Sequence, residues 1–249
     1  MRRLLPLTGI VIFVLAWHFA VAAEADTLVP SPWAAFLGIV ELAEKGLLAK
    51  YVVASLFRVT WGYLAALVLA VPLGVLLGLW RRGERAVNPV LQLLRPISPL
   101  AWIPIAILWF GVGDVAAVFL IFLASLLPLT LTTIDAVHNI EGVHLAAGRN
   151  FGLTGRELVR SVILPAILPQ LIVGMRITLG IAWLVVVAAE MIAVSSGLGF
   201  LIIDARNAGN RYDLVVAGMI LIGAIGVILD AMMRRLERLP GVRWGYVEE

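Results

Sequence analysis

Leu168 to Val194 reads LPQLIVGMRITLGIAWLVVVAAEMIAV, a run in which Arg176 and Glu190 are the only ionised side chains. A membrane span needs about 20 predominantly apolar residues, because a helix rises about 1.5 Å per residue through a hydrocarbon core of about 30 Å. This run exceeds that length. No water at that depth can satisfy peptide N–H and C=O groups, so the backbone must satisfy itself as a helix. The whole chain agrees: 62% of its 249 residues are hydrophobic and 14% charged, against roughly half and a quarter in soluble domains. Lipid is therefore its main solvent.

The two charges inside the run are the first functional candidates, since ionisable groups in a span are costly and face a cavity or a partner. Trp183 lies seven residues after Arg176 and seven before Glu190. A straight helix drifts only about 20° per heptad, so the three share one stripe. Arg176, Trp183 and Glu190 are thus candidates for a translocation path. About 21 Å of helix separates the two charges, too far for them to bond each other. The competing reading is that Arg176 snorkels or ties helices together and Glu190 caps an interface near the outer surface.

Five further runs have the same character: Leu4 to Ala23, Leu56 to Trp80, Ile97 to Gly111, Val115 to Val137 and Leu214 to Met233. The expected fold is all-α, one polytopic helix bundle of about six spans over residues 1–249. Ile97 to Gly111 is short and carries Pro99 and Pro104, which predicts a kinked or broken span. Trp102 and Trp109 in it are candidates to line a pore or to anchor at headgroup depth. Gly74 and Gly78 form a small-xxx-small pair that predicts close helix packing. The first run follows Arg2 and Arg3 and ends in small residues, as cleavable signal peptides do. It is also long enough to be retained as a span.

Lys and Arg accumulate in short cytoplasmic loops. With the N-terminus inside, the cytoplasmic segments hold Arg2, Arg3, Arg81, Arg82, Arg85, Arg95, Arg149, Arg156, Arg160, Arg234, Arg235, Arg238 and Arg243, thirteen of the 19 basic residues. Both termini are therefore expected in the cytoplasm. Outside lie LVPSP from Leu28 and an amphipathic stretch from Trp33 to Lys50, expected to lie along the interface.

The longest polar segment on the inner side runs from His138 to Pro169 and reads HNIEGVHLAAGRNFGLTGRELVRSVILPAILP. Ala146 and Ala147 are expected to start a short helix, and Gly152, Thr154 and Gly155 to break it. Gly155 to Ile163 supports a second helix, capped by Thr154 and ended by Pro165. Phe151, Leu158 and Val162 supply an apolar face that needs a partner.

At these residues the chain resembles the permease subunits of bacterial ABC importers, whose cytoplasmic loop follows E-A-A-x3-G-x9-I-x-L-P. Ala147, Gly152, Leu164 and Pro165 fit in register, with Val162 in place of isoleucine. Two positions depart: Ala146 stands where the pattern has glutamate, and Gly148 where it has its second alanine. LRPISPLAWIPIAILWFGVGD from Leu94, GMRITLGIAWLVVVAAEM from Gly174 and SSGLGF from Ser195 narrow the resemblance to the nitrate, sulfonate and taurine group. The resemblance spans Leu28 to Tyr246. It implies a type I importer permease fold in the bacterial cytoplasmic membrane and a homodimer. It also implies two copies of a separate ATPase that binds ATP and Mg, and a periplasmic or lipid-anchored solute-binding protein. The solute would be a small oxyanion or organic sulfonate, and the loop would be the hairpin that couples ATPase to spans.

Other classes fit poorly. No G-x4-G-K-[ST] loop occurs, so ATP chemistry must come from another chain. There is no cysteine, and the three histidines lack zinc-protease spacing, so neither a catalytic residue nor a metal site is expected. The basic residues form no contiguous patch for nucleic acid. A self-sufficient secondary transporter would favour an inverted repeat, and a membrane-embedded enzyme a clustered polar constellation. Neither is evident.

Overall fold

The computed structural model describes residues 5–23 and 28–238, and among them every regular element is helical. Arg2, Arg3, Arg243 and the end of the resemblance at Tyr246 lie outside the described residues. α1 (Leu5–Ala22) is apolar and exposed along most of its described length. α2 (Pro32–Glu44) starts where the Ser31 hydroxyl accepts from the Ala34 amide at 3.2 Å. Pro32 sits at its first turn, where a missing N–H is no loss. Its Ala35, Gly38 and Leu42 are buried, while Trp33 and Phe36 stack outward, as an interfacial helix requires.

α3 (Leu47–Leu79) and α6 (Asp114–His138) form the tightest pair. The reason is a stripe of small residues on α3 at every fourth position: Gly62, Ala66, Ala70, Gly74 and Gly78 are all buried. A Cβ on Gly62, Gly74 or Gly78 would stand 2.7, 2.5 or 2.8 Å from the Cβ of Ile121, Thr133 or Val137. Lipid tails offer no hydrophobic drive between helices, so this approach of backbones supplies the packing. The expected Gly74 and Gly78 pair is one end of a longer groove.

The expected span from Ile97 to Gly111 is not a straight rod. α4 (Arg81–Leu94) meets a 3-10 turn at Pro99–Trp102 and then α5 (Ile103–Phe110), and the two halves are bent by 84°. Pro96, Pro99 and Pro104 withhold amides through this stretch, so no continuous ladder can form. The Ser98 hydroxyl takes up the Leu100 amide instead, at 3.3 Å.

α7 (Gly142–Asn150) leads to the single turn α8 (Gly155–Leu158), a π turn at Val159–Ile163 and α9 (Leu164–Ala193). α8, the π turn and α9 form one unbroken helix of 39 residues. Pro165 was expected to end the second loop helix and does not. It lies in the first turn of α9, directly after the π turn. α10 (Leu198–Asn207) and α11 (Tyr212–Glu237) complete the fold.

Among the described residues four helices, not about six, are long and apolar enough to cross a bilayer: α3, α6, the continuous α8–α9 rod and α11. The bent α4–α5 pair makes a fifth if it counts as one crossing, and α1, described with its side chains over Thr8–Ala22, is apolar but shorter. Over their described residues the six expected runs fall largely on helix. They are not six equal rods. Polar groups inside the bundle are absorbed locally: Ser125, Thr130 and Thr133 donate to carbonyls one turn back at 2.8, 2.7 and 2.7 Å. Tyr63 Oη donates across to the Met175 carbonyl at 2.7 Å. Among the described residues, no buried side-chain nitrogen or oxygen lacks a partner.

Candidate functional site

The chain from Gly142 to Ile163 projects as a helical hairpin from the end of the bundle that holds His138 and the start of α9. Gly152 turns it with φ of +79°, a left-handed angle that costs a side-chain-bearing residue about 1 kcal/mol or more. The Phe151 and Gly152 amides donate to the carbonyls of Ala147 and Arg149, which closes α7. The Thr154 side chain makes no capping bond, contrary to expectation; its carbonyl receives the Glu157 amide instead. Phe151 is 87% exposed and remains free for a partner. Leu158 and Val162 are only half-exposed, because both turn back onto Gly148. A Cβ on Gly148 would come within 2.7 Å of Leu158 Cδ1, so glycine at this departure from the pattern is what lets the hairpin close. Ala146, Ala147, Leu164 and Pro165 are exposed along the same projection.

At the opposite end of the bundle, Arg58 of α3 is 2% exposed and Glu190 of α9 fully buried. Arg58 Nη1 donates to Glu190 Oε1 at 2.6 Å and to the Ser196 carbonyl at 2.7 Å. Its Nη2 reaches Ser196 Oγ at 2.6 Å and Asp114 Oδ1 at 2.7 Å, and Nε donates to that same oxygen at 2.8 Å. Every guanidinium N–H is thus placed, the geometry that makes arginine tolerable in a dry site. Glu190 Oε2 accepts from Ser55 Oγ and from the Gly199 amide, both at 2.9 Å. SSGLGF from Ser195 to Phe200 is the turn that wraps this carboxylate. Gly197 has φ of +110°, and a Cβ there would stand 2.3 Å from Glu190 Oε1. One cluster therefore ties α3, α6, α9 and the α9–α10 turn.

Arg176, Trp183 and Glu190 do share a stripe of α9, but they do not converge on one site. Arg176 Nε pairs with Asp230 Oδ1 of α11 at 2.6 Å, and Nη1 with Glu237 Oε1 at 3.1 Å. Asp230 also takes Arg234, one turn further along α11. Trp183 Nε1 donates to the Ile222 carbonyl of α11 at 3.0 Å, so this tryptophan is packed between helices. Trp109 is exposed beside Phe110 and Phe119. Trp102 lines a cavity of about 780 Å³ between α4, the 3-10 turn and α6. Outside the spans, Glu41 pairs with Arg211 and Lys45. The Arg211 guanidinium, then Lys45, hold its carboxyl down to about 2, so the pair stays charged at neutral pH.

Sequence reasoning passed over Arg58 as a basic residue in or near a span, and gave Asp114 no partner. The signal was present: Arg58 and Glu190 lie near those ends of two different spans that are remote from the hairpin, where opposite charges at equal depth invite pairing. Asn88, Gln92 and Arg95, which also line the cavity, were passed over too. Among the described residues no group of three or more His, Asp or Glu side chains is placed to hold a metal ion.

Residues 70–240 match the family described as binding-protein-dependent transport system inner membrane component. An ABC transporter permease protein of Methanocaldococcus jannaschii is 40% identical over 77% of this chain and 72% of its own length. The taurine transport system permease protein TauC of Escherichia coli is 34% identical over 76% of this chain and 68% of its own. The bicarbonate transport system permease protein CmpB of Synechococcus elongatus is 34% identical over 94% and 88%. Among solved structures, a chain of the MetNI methionine ABC transporter in an inward-facing conformation superposes with a TM-score of 0.69. That match covers 79% of this chain and 97% of the other at 22% identity, which establishes the fold.

Proposed function

The chain belongs to the inner membrane components of binding-protein-dependent transport systems, and on that footing we propose that it carries a small anion inward in an ATP-driven importer. It is a multi-pass permease of the ABC importer class. The solute is a small oxyanion or organic sulfonate, in keeping with relatives named for taurine, bicarbonate, aliphatic sulfonates and nitrate. A solute-binding protein delivers it, two copies of this chain form the pathway, and two copies of a separate ATPase hydrolyse ATP. Both termini and the hairpin lie in the cytoplasm.

The observation that carries this reading is the unbroken helix from Gly155 to Ala193. Its inner end is half of the hairpin, whose exposed Phe151 offers an ATPase a grip, and its outer end bears Glu190 in the buried cluster. Movement of the hairpin is therefore applied directly to a helix that reaches the far side of the bundle. Alternating access needs such a rigid link between two discrete arrangements.

Purification tests the assembly: a tagged chain should bring down an ATPase at about one copy per copy of itself. Uptake by vesicles lacking any ATPase would replace this reading with a secondary transporter. Coupling is tested at the turn. Gly152→Val forces a β-branched residue into a left-handed angle, and should lower uptake about tenfold or more while membrane insertion and ATP hydrolysis persist. Normal uptake per ATP hydrolysed in that variant would remove the hairpin from the mechanism.

A further inference from the structure

We infer that the cavity beside Trp102 is the inner solute chamber of the permease, with Arg95 as the group that receives the anionic head of the solute. The inference rests on the import function above and assigns it a place. Glu84, Asn88 and Gln92 recur at every fourth residue of α4, and Arg95 follows one turn later; all four line the cavity. The facing wall is α6 from Leu123 to Asp135, about 18 Å of helix running from mid-span to the inner end. That wall is almost wholly apolar: Leu123, Leu127 and Leu131 project from it. Asn88, Gln92 and Arg95 are exposed on this face, so the polar stripe and the leucines opposite stand apart with open space between them, polar on one side and apolar on the other. The opposite side of α4 presents Val90 and Leu93, exposed and apolar.

The charges choose the solute. Glu84 pairs with His138 at 3.2 Å. Arg95 has no ion pair among the described residues, and although Asp135 lines the same cavity the two do not meet. A free guanidinium, with its planar fork of donors, fits a carboxylate, sulfonate or similar oxyanion. Gln92 donates to Asn88 Oδ1 at 3.3 Å, which leaves the Asn88 amide N–H groups for the same ligand. Asp135 and Glu84 sit at the inner end, near the close of α6 at His138, and weaken the hold on an anion as it leaves. A transport site must bind weakly enough to empty.

This chain contains no cysteine, so in the complete importer a single introduced cysteine is read on the permease band without background from the chain itself. Gln92→Cys on α4 and Leu127→Cys on α6 should both react with a small anionic thiosulfonate supplied from the cytoplasmic side. The imported solute should slow both reactions. Val90→Cys, on the exposed apolar side, should stay unlabelled. Adding Arg95→Gln should slow the anionic reagent at Gln92→Cys about tenfold and leave a neutral reagent of the same size unaffected. Uptake should fall by a similar factor, with Arg95→Lys retaining more than Arg95→Gln. Inert cysteines at both positions, or equal anionic rates with and without Arg95, in an importer that still takes up solute, overturn the assignment. An unaltered importer that takes up no anion with ATP overturns instead the function on which it rests.

Discussion

Arg58→Ala should lower the stability of the detergent-solubilised protein by about 3–5 kcal/mol, read as a large drop in thermal midpoint, because it strands the fully buried Glu190. The removed guanidinium makes five polar contacts, yet their sum is not the expected loss. Arg58 and Glu190 are both buried, so the dominant cost is a carboxylate left without its cation. Glu190→Ala should cost a similar amount for the converse reason, leaving Arg58 with only the exposed Asp114 to balance it. Arg58→Met combined with Glu190→Leu should recover much of either loss, since neither charge then remains. It should not recover all of it, because the Gly199 amide and Ser55 would lose the oxygen they bond. Ser55→Ala removes the acceptor of the Leu198 amide and should cost about 1–2 kcal/mol. A thermal midpoint for Arg58→Ala equal to the parent's would show that the cluster does not hold α3, α6 and α9 together.

That cluster also marks what the sequence could and could not yield. Apolar runs named the helices, because burial in lipid imposes a length and a composition that single residues cannot disguise. The hairpin was legible for a similar reason: Gly152 answers to a backbone angle, and its spacing from Leu164 and Pro165 is local. The partners of Arg176 and Glu190 were not legible, since a charge in a span demands a partner without saying which helix brings it. Asp230 lies 54 residues from Arg176, and Arg58 lies 132 from Glu190. Only packing puts them together. Pro165 misled for another reason: it stands within a continuous helix behind a π turn, as Pro72 and Pro128 stand inside α3 and α6, and neither a π turn nor a tolerated proline has a composition of its own. The bend at Pro96 to Pro104 was visible as a weakness in the third run. Its consequence, a cavity roofed by Trp102 and walled by α4, depended on the 84° angle that no pattern states.

Gly74→Leu should be strongly disruptive among glycine substitutions, and the reason lies in what its side chain would meet. A Cβ at Gly74 stands 2.5 Å from Thr133 Cβ and 2.9 Å from the Thr130 carbonyl oxygen. The first obstacle is fixed to the helix and the second is backbone, so neither can swing aside. Helices α3 and α6 would have to separate, opening the stripe from Gly62 to Gly78 and forfeiting close contact along its length. Overpacking a tight interior costs about 1–3 kcal/mol per site, more where backbone must move, so Gly74→Leu should leave little protein that survives solubilisation. Gly78→Ala meets Val137 Cβ at 2.8 Å but backbone only at 3.4 Å, and should lose less. Gly223→Ala on α11 meets nothing within 4 Å and should change stability by no more than about 1 kcal/mol in the favourable direction, as alanine suits a helix better than glycine. The order of thermal midpoints should therefore run Gly223→Ala, Gly78→Ala, Gly74→Leu from highest to lowest. If Gly74→Leu matched Gly223→Ala, α3 and α6 could not be in backbone contact, and the groove on which the bundle is built would be absent.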